Sequence, residues 1–181
     1  MLDIQDLSIS FHKQPVLQHL SFHLDGHECI YIHGINGSGK STLFKLICDI
    51  IKPTSGIITK KNDLQIGALI ENPGFLENET LAYNLQFLAS LKNQYDSTYI
   101  ESLCQQFQLD LHSSMKLKNF SVGMRQKAGI IQAIMENQEL ILLDEPTRGL
   151  DQTSIHTFCQ LINQLHDKGH TIVIAAHDYL P

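Results

Sequence analysis

The sequence is short of several features that would direct it to particular functions. Charged residues make up only 18% of its 181 residues and the net charge is −6, so we do not expect nucleic acid or anionic lipid to be a main partner. No apolar run approaches the roughly 18 residues that cross a bilayer, and no stretch has the pattern of a signal peptide. We therefore expect that the chain is not itself a channel.

Cysteine and histidine do not occur in the patterns that hold metals. The four cysteines, at positions 29, 48, 104 and 159, include no C-x-x-C pair, which predicts reduced thiols that serve as small core residues in a cytosolic protein. The ten histidines show no zinc spacing. Internal repeats and low-complexity tracts are missing too, and 43% of the residues are hydrophobic. This composition predicts one globular domain with a substantial core.

A glycine-rich stretch at residues 34–42, GINGSGKST, is the most informative feature that is present. It follows residues 29–33, which are predicted to form a buried strand, and precedes residues 43–48, whose apolar side chains have helical spacing. A strand, a glycine turn and a helix in this order favour a phosphate-binding loop over an ordinary turn capped by serine and threonine. Glycines let backbone N–H groups approach and surround a polyphosphate, so the stretch predicts a nucleotide site.

Two side chains of this loop have specific predicted roles. Lys40 is expected to reach the β- and γ-phosphates, and the Ser41 hydroxyl is expected to bind Mg²⁺. The helix that follows adds unpaired N–H groups and the positive end of its dipole. The predicted nucleotide-binding residues of the stretch are Gly34, Asn36, Gly37, Ser38, Gly39, Lys40, Ser41 and Thr42.

An acidic pair, Asp144 and Glu145, follows the apolar residues 140–143. An acidic residue at the tip of a buried strand beside a phosphate loop can hold Mg²⁺ directly or through water. A second carboxylate next to it can orient or deprotonate an attacking water. The alternative, a strand that ends in a solvated turn, is less consistent with the nearby phosphate loop. The pair therefore predicts nucleotide hydrolysis.

Hydrophobic patterns along the chain predict an α/β fold with antiparallel β structure at its beginning. Asp25–Gly26 is a hairpin signal before the strand at residues 29–33, and helices are expected to begin after Thr80, Asp96 and Ser121. The pattern therefore predicts that residues 75–137 form a helical insertion in the α/β core. The other predicted elements are strands at 1–11, 16–24, 57–59, 66–70, 140–143 and 171–174, and a helix at 153–165.

The chain resembles the ATP-binding domain of ABC transporters from its first strand to its last residues. Residues 120–124, FSVGM, look like a variant of that family's LSGGQ signature, and residues 148–151, RGLD, look like the loop after its catalytic strand. His177 is placed like the switch histidine that contacts the γ-phosphate, and Phe11 like the aromatic residue that stacks on adenine. The resemblance further implies that Ser121 and Gly123 bind the nucleotide of a second copy.

The resemblance implies a P-loop core of the ABC type within a single domain, residues 1–181. Residues 1–74 and 138–181 would form the nucleotide-binding core, and residues 75–137 the helical signature subdomain. It also implies a head-to-tail homodimer that hydrolyses ATP with Mg²⁺ and drives a separate transmembrane permease. Glu145, His177 and Lys40 would be catalytic. The subunit would be cytoplasmic and peripheral on the inner face of the cell membrane, with no nucleic-acid partner.

The sequence departs from the family pattern at two places. Most members have glutamine at the position of Glu71, whereas exporters of the bacitracin-resistance and lantibiotic-immunity type, which this chain most resembles, also carry glutamate there. A carboxylate can still bind Mg²⁺, so Glu71 joins Ser41 and Asp144 as a predicted metal ligand. Family domains also continue past the switch histidine. This sequence stops at Pro181, four residues after His177, either as a naturally short subunit or as one whose C-terminal part is absent. Because chain ends fray unless they are tied down, a loosely held terminus would leave His177 poorly positioned.

Three functions fit these residues. The first is the ATPase subunit of a bacterial exporter of drugs or antimicrobial peptides. The second is a soluble ABC-type ATPase that drives a non-transport assembly process, and copurification with a membrane-embedded partner discriminates the two. The third is a nucleotide-gated binding module with little turnover, suggested by Glu71 and the chain end, which phosphate release would exclude.

Overall fold

The structure is a computed structural model that describes residues 1–91 and 95–177; the chain end at Pro181 lies outside the described residues. Strands alternate with helices after an antiparallel beginning, as the sequence predicts. In chain order the elements are β1 (Leu2–Phe11), β2 (Gln14–Leu24), β3 (Cys29–His33), α1 (Lys40–Ile47), β4 (Ser55–Lys60), β5 (Ile66–Leu69), α2 (Leu81–Ser90), α3 (Ser97–Gln106), a 3-10 turn (Leu117–Asn119), α4 (Val122–Ile134), β6 (Leu140–Asp144), α5 (Gln152–Asp167) and β7 (Thr171–Ala176).

The strands form two sheets. An antiparallel sheet has the order β2-β1-β4, and a parallel sheet has the order β3-β7-β6-β5. Ligands bind outside the carboxyl ends of the strands in open parallel sheets. Here the residues that follow those ends are Gly34 after β3, Glu145 after β6 and His177 after β7. The predicted α/β fold is confirmed, and it directs three predicted site segments to one edge.

Two apolar clusters stabilise this arrangement. One lies between the two sheets and includes the buried face of α1, while the other contains residues of α2 to α5 and the opposite face of the parallel sheet. Strands β6 and β7 are buried along their whole length because both faces of the sheet are covered, which explains their continuous apolar sequence. Burial of this kind holds the carboxyl ends of the central strands in fixed positions.

The helix starts are set by local capping. The side chains of Thr80, Asp96 and Ser121 accept hydrogen bonds from the backbone N–H groups of Tyr83, Tyr99 and Met124, respectively. A polar side chain three residues before the bonded N–H satisfies one of the unpaired donors of a new helix. The three predicted helix starts are confirmed. The subdomain boundaries proposed at residues 75 and 137 stay a prediction.

Helix α4 packs directly on β5 at Gly67. A Cβ atom built on this glycine would lie 1.8 Å from the carbonyl oxygen of Ala133, far inside van der Waals contact. Only glycine therefore allows this close approach of helix and strand. The contact fixes the position of α4 relative to the parallel sheet.

Two predictions about β3 are wrong: that it is a buried strand and that a hairpin precedes it. The strand is exposed at both ends and only partly buried between them, because it is the edge strand and pairs with β7 alone among the described strands. Asp25–Gly26 is not a hairpin either, since β2 and β3 belong to different sheets. Gly26, with φ +117°, turns the chain, and the His27 N–H then donates to Thr171 Oγ1 at 2.9 Å, which directs β3 towards β7.

The cysteines agree only in part with the expected core role. All four are free; Cys104 is buried, Cys48 and Cys159 are half-buried, and Cys29 is exposed on the edge strand. Burial raises the pKa of Cys48 to about 11 and that of Cys104 to about 12. These two thiols are therefore protonated at neutral pH and are poor nucleophiles. Among the helices of residues 1–91 and 95–177, none is both long enough and apolar enough to cross a bilayer.

Candidate functional site

The phosphate loop ends where α1 begins. Gly39 precedes the helix in the left-handed region, with φ +96°, and a Cβ there would lie 2.8 Å from Leu17 Cδ2, so both conformation and space require glycine. The side chain of Lys40 is only 7% exposed. Its Nζ donates to the carbonyl oxygens of Gly34 at 2.6 Å and Ile35 at 3.2 Å. The lysine charge thus lies beside the loop, at the positive end of a helix.

Asp144 is the last residue of β6 and is buried. Burial raises the pKa of its carboxyl group, and a hydrogen bond with the Ser41 hydroxyl opposes that rise in part. Hydroxyl and carboxylate oxygens are the hard donors that Mg²⁺ prefers. Within residues 1–91 and 95–177, no three His, Cys, Asp or Glu side chains converge to hold a metal ion alone. This donor set fits Mg²⁺ that is shared with nucleotide phosphates, as the predicted role of Ser41 and Asp144 requires.

Glu145 has an unusual backbone that three contacts hold in place. Its φ is +48°, a left-handed conformation that costs energy in a residue other than glycine. The Glu145 N–H donates to the Ala175 carbonyl at 2.8 Å, and its carbonyl accepts from Gln126 Nε2 at 3.0 Å. Its Oε2 lies 2.9 Å from His177 Nδ1. Strain maintained by surrounding contacts is typical of functional sites.

The second oxygen of this carboxylate is in a different situation. Glu145 Oε1 is buried and has no hydrogen-bond partner among the described residues. It lies 3.8 Å from Lys40 Nζ, and the carboxylate lines the same cavity as Ser41, Asp144 and His177. A buried carboxylate oxygen normally finds a donor. This one is therefore free to accept a hydrogen bond from a bound molecule.

Glu71 lies at the same edge, two residues after β5. Its Oε1 is 2.6 Å from Lys45 Nζ, and its backbone is left-handed with φ +55°. A backbone hydrogen bond from Glu71 also acts on the Asp144 carboxyl group and lowers its pKa. Glu71 is therefore close to Asp144, and its negative charge is balanced by Lys45.

The structure brings most of the predicted site residues together. Phe11, 44% exposed at the end of β1, lies at the phosphate-loop cavity rather than in the core. Gly34 and Ser38 line an adjacent apolar groove between β2 and β3. Two neighbouring cavities at the carboxyl edge share several lining residues, and the residues around them include Phe11, Asn36, Gly37, Gly39, Lys40, Ser41, Thr42, Glu71, Asp144, Glu145 and His177.

Ser121 and Gly123 are not among the residues that line these cavities. They lie at the N-terminus of α4, where the Ser121 hydroxyl caps the helix. A Cβ on Gly123 would be 2.8 Å from the Gly149 carbonyl oxygen, so the signature segment packs against the loop that follows Glu145. Their role at the phosphate site of one chain stays a prediction.

Sequence reasoning missed three residues at this site. Gln126 donates to the carbonyls of Glu145 and Pro146, both at 3.0 Å, Lys45 pairs with Glu71, and His33 contacts the backbone of His177. Gln126 lies one helical turn from the signature segment, which is a weak signal. Lys45 and His33 have no local signal, because their partners are 26 and 144 positions away in sequence.

Known proteins are similar to this chain in sequence and in fold. The family model for ABC transporters matches residues 17–148, which is most of the chain. The chain belongs to the ABC transporter family. Its fold agrees with that of a solved ATP-binding subunit of an ABC transporter, with a TM-score of 0.87 and 30% identity over 98% of this chain and 79% of that one. A dimeric ATP-binding cassette in a post-hydrolysis state, with ADP and Pi bound, has the same fold with a TM-score of 0.87 and 23% identity, covering 98% of this chain and 88% of that one.

Two curated relatives of this ABC chain are named for peptide-antibiotic transport. It is 31% identical over 184 residues to the lantibiotic transport ATP-binding protein SrtF of Streptococcus pyogenes, covering 98% of this chain and 80% of the relative. It is 30% identical over 188 residues to the bacitracin transport ATP-binding protein BcrA of Enterococcus faecalis, covering 98% of this chain but 61% of that protein. The chain is an ABC-type ATPase, and the predicted resemblance to this branch of the family is confirmed.

Proposed function

We propose that this ATPase hydrolyses ATP at the edge formed by Lys40, Asp144, Glu145 and His177, and that it drives a bacterial exporter of drugs or antimicrobial peptides. The observation that carries the proposal is Glu145 Oε1, a buried acceptor without a hydrogen-bond partner among the described residues. An attacking water at this oxygen would satisfy it and lose a proton to it. The carboxylate is then the general base of hydrolysis.

The neighbouring groups support this assignment. Lys40 Nζ donates hydrogen bonds to the Gly34 and Ile35 carbonyls of the phosphate loop. Phosphate oxygens bound in this loop would replace the two carbonyls as its acceptors. Ser41 and Asp144 are the proposed metal ligands with Glu71, and a Mg²⁺ ion there would neutralise phosphate charge. His177 Nδ1 is 2.9 Å from Glu145 Oε2, which keeps the carboxylate oriented. Phe11, at the same cavity, is the proposed stacking surface for adenine.

The position of the signature segment supports a head-to-tail homodimer. Ser121 and Gly123 are separate from the phosphate loop of their own chain, and Val122 between them is 70% exposed. A helix N-terminus with exposed N–H groups is a ready site for phosphate. We assign it to the γ-phosphate of the second copy, so that ATP closes the dimer.

An exposed apolar face on α2 supports a membrane partner. Tyr83 and Phe87, four residues apart on one face of the helix, are 50% and 43% exposed. Exposed aromatic side chains that lie together on a surface are typical of protein interfaces. We assign this face, within the proposed helical subdomain of residues 75–137, to a transmembrane permease. The subunit would then be peripheral on the cytoplasmic side, and the relatives' names favour a peptide antibiotic as cargo.

The test is phosphate release by the purified chain, alone and with its membrane partner. Glu145→Gln keeps the size and polarity of the side chain but removes the base, so turnover should fall about 10²- to 10⁴-fold with nucleotide binding retained. Glu101→Gln, whose half-exposed side chain lies on α3, is the matched control and should keep full activity. Unchanged turnover in Glu145→Gln would remove Glu145 as the base.

Copurification separates transport from the soluble alternative. The chain should be recovered with an integral membrane protein after mild detergent extraction, and Tyr83→Glu with Phe87→Glu should lose it while retaining ATP binding. Recovery with only soluble partners would favour an assembly ATPase instead.

A further inference from the structure

His33 contacts the segment that carries His177. It is the last residue of β3, directly before Gly34, and its backbone is in register with Ala176 of β7. Its ring Nε2 lies 2.8 Å from the carbonyl oxygen of His177. Because a carbonyl oxygen only accepts, Nε2 is the donor in this hydrogen bond. The contact extends the connection between the two strands by one residue beyond their paired backbones.

The contact falls where the strand no longer holds the chain. β7 ends at Ala176, so His177 lies just past its regular backbone pairing. The His177 ring nevertheless meets Glu145 Oε2 at 2.9 Å. Whether the ring keeps this contact depends on where the His177 backbone lies. The His33 hydrogen bond therefore holds the His177 backbone one residue beyond the pairing of β3 with β7.

Position 33 also links two parts of the site. One residue later the chain enters the phosphate loop, whose Gly34 carbonyl accepts from Lys40 Nζ at 2.6 Å. A shift of His33 would thus be felt both by the phosphate loop and by His177. The nucleotide-binding pattern itself begins at Gly34 and places no demand on the side chain at position 33. An apolar residue would suit the strand equally well.

We propose that His33 is a positioning residue for ATP hydrolysis, which holds the backbone of His177 so that its ring stays against Glu145. The proposal rests on the proposed function, since it assigns His33 to the same catalytic edge. His33 acts through a hydrogen bond to the backbone and is not among the residues that line the two cavities at the carboxyl edge. Its loss should therefore change turnover more than nucleotide binding.

The test compares a variant that removes the donor with one that keeps it. His33→Phe retains a ring but has no N–H, and we expect kcat to fall about tenfold to hundredfold, as misplacement near a reacting centre does, with KM for ATP changed less than about twofold. His33→Gln retains an N–H donor of similar reach and should restore most of the lost kcat. His156→Phe, on the exposed surface of α5, is the control and should behave as wild type.

Full kcat in His33→Phe would overturn the proposal, and so would equal losses of kcat in His33→Phe and His33→Gln. A rise in KM with unchanged kcat would also contradict it, because that result assigns His33 to nucleotide binding. Glu145→Gln, assayed in parallel, separates the two levels of inference. If Glu145→Gln is inactive and His33→Phe is fully active, only the role of His33 fails; if Glu145→Gln is fully active, the proposed function itself fails.

A second measurement does not depend on turnover. Imidazole ¹⁵N NMR of the nucleotide-free chain, with the His177 signals assigned from a His177→Gln sample, reports whether the His177 ring has one fixed hydrogen-bonded state. We expect fixed Nδ1 and Nε2 signals in wild type and His33→Gln, and averaged signals in His33→Phe. Unchanged His177 signals in His33→Phe, with the protein folded by circular dichroism, would show that His33 does not position this ring.

Discussion

Lys45 Nζ lies 2.6 Å from Glu71 Oε1, and this ion pair connects α1 to the end of β5. The family resemblance implies a neutral glutamine at this position in most members, so Glu71 adds a negative charge close to the predicted phosphate site. The pair offsets that charge with a cation from the helix that follows the phosphate loop. Glu71 and Lys45 therefore act as a unit, and the glutamate is compatible with a site that binds triphosphate.

This relationship is testable by a double-mutant cycle. Lys45→Met should weaken Mg-ATP binding by up to about fivefold, which corresponds to the roughly 1 kcal/mol expected for a partly exposed ion pair, because Glu71 is then uncompensated. In a Glu71→Gln background the same substitution should cost much less. Titration with a fluorescent ATP analogue measures both, and Lys52→Met, an exposed lysine, is the control. Equal losses in both backgrounds would show that the two residues are not coupled.

Lys40→Ala should weaken nucleotide binding far more. The side chain is buried and its Nζ already bonds two loop carbonyls, so a charge-assisted contact with phosphate of about 1.5–3 kcal/mol is removed. Calorimetric titration should show a loss of affinity of about tenfold or more, against none for Lys52→Ala. If Lys40→Ala binds ATP as tightly as wild type, the loop at residues 34–42 is not the phosphate site.

Dimer formation is best observed when hydrolysis is blocked. Glu145→Gln should trap the ATP-bound state, and light scattering should then show a mass twice that of the 20.4 kDa chain with Mg-ATP but not without it. Adding Lys40→Ala to Glu145→Gln should abolish the shift. A monomer that persists despite proven ATP binding would mean that the membrane partner is needed to bring the two signature segments into place.

Local features of this fold could be predicted from the sequence because their causes are local. The caps at Thr80, Asp96 and Ser121 act over three residues. The glycine pattern of the phosphate loop predicts the strand before it and the helix after it. The exposure of β3 could not be predicted, because an apolar run does not show whether a strand lies at an edge or in the centre of a sheet. The contacts of Lys45 with Glu71 and of His33 with His177 could not be predicted either, since these residues are far apart in sequence and only the packing of α1 and the order of the strands bring them together.

Asp144 should make the nucleotide-free protein less stable at neutral pH. Burial raises the pKa of its carboxyl group, so the folded chain keeps this proton to a higher pH than the unfolded chain does. Stability from this group is therefore highest below the ordinary carboxyl pKa and falls as pH rises through the raised value. Asp144→Asn removes the free-energy cost of burying the ionised carboxylate. Its melting temperature at pH 7 should therefore exceed that of wild type by about 2–4 °C for each kcal/mol of stability gained.

The two proteins should converge in melting temperature as pH falls, because Asp144 is then protonated in wild type. Asp167→Asn, an exposed residue at the end of α5, should show no such pH-dependent gain. Asp144→Asn should still lose ATP hydrolysis, since the proposed Mg²⁺ ligand is gone. A variant that melts at or below the wild-type temperature at pH 7 would contradict the predicted cost of burying this charge.

Gly67→Ala tests whether the close packing of α4 on β5 also sets the chemistry of the site. The added Cβ would meet the Ala133 carbonyl oxygen at 1.8 Å, whereas a Cβ on Gly74 would meet nothing within 4 Å, so Gly74→Ala is the matched control. Overpacking of this kind costs about 1–3 kcal/mol of stability. The melting temperature should therefore fall by at least about 2 °C in Gly67→Ala and stay unchanged in Gly74→Ala.

The same substitution should also disturb the backbone of Glu145. Relief of the clash requires α4 to move from the sheet, and α4 carries Gln126, which donates to the Glu145 carbonyl at 3.0 Å. That hydrogen bond helps to hold the left-handed backbone of Glu145, so turnover should fall in Gly67→Ala even at temperatures where the chain is fully folded. Lower stability with unchanged kcat would show instead that Glu145 keeps its position without Gln126, through its bonds to Ala175 and His177.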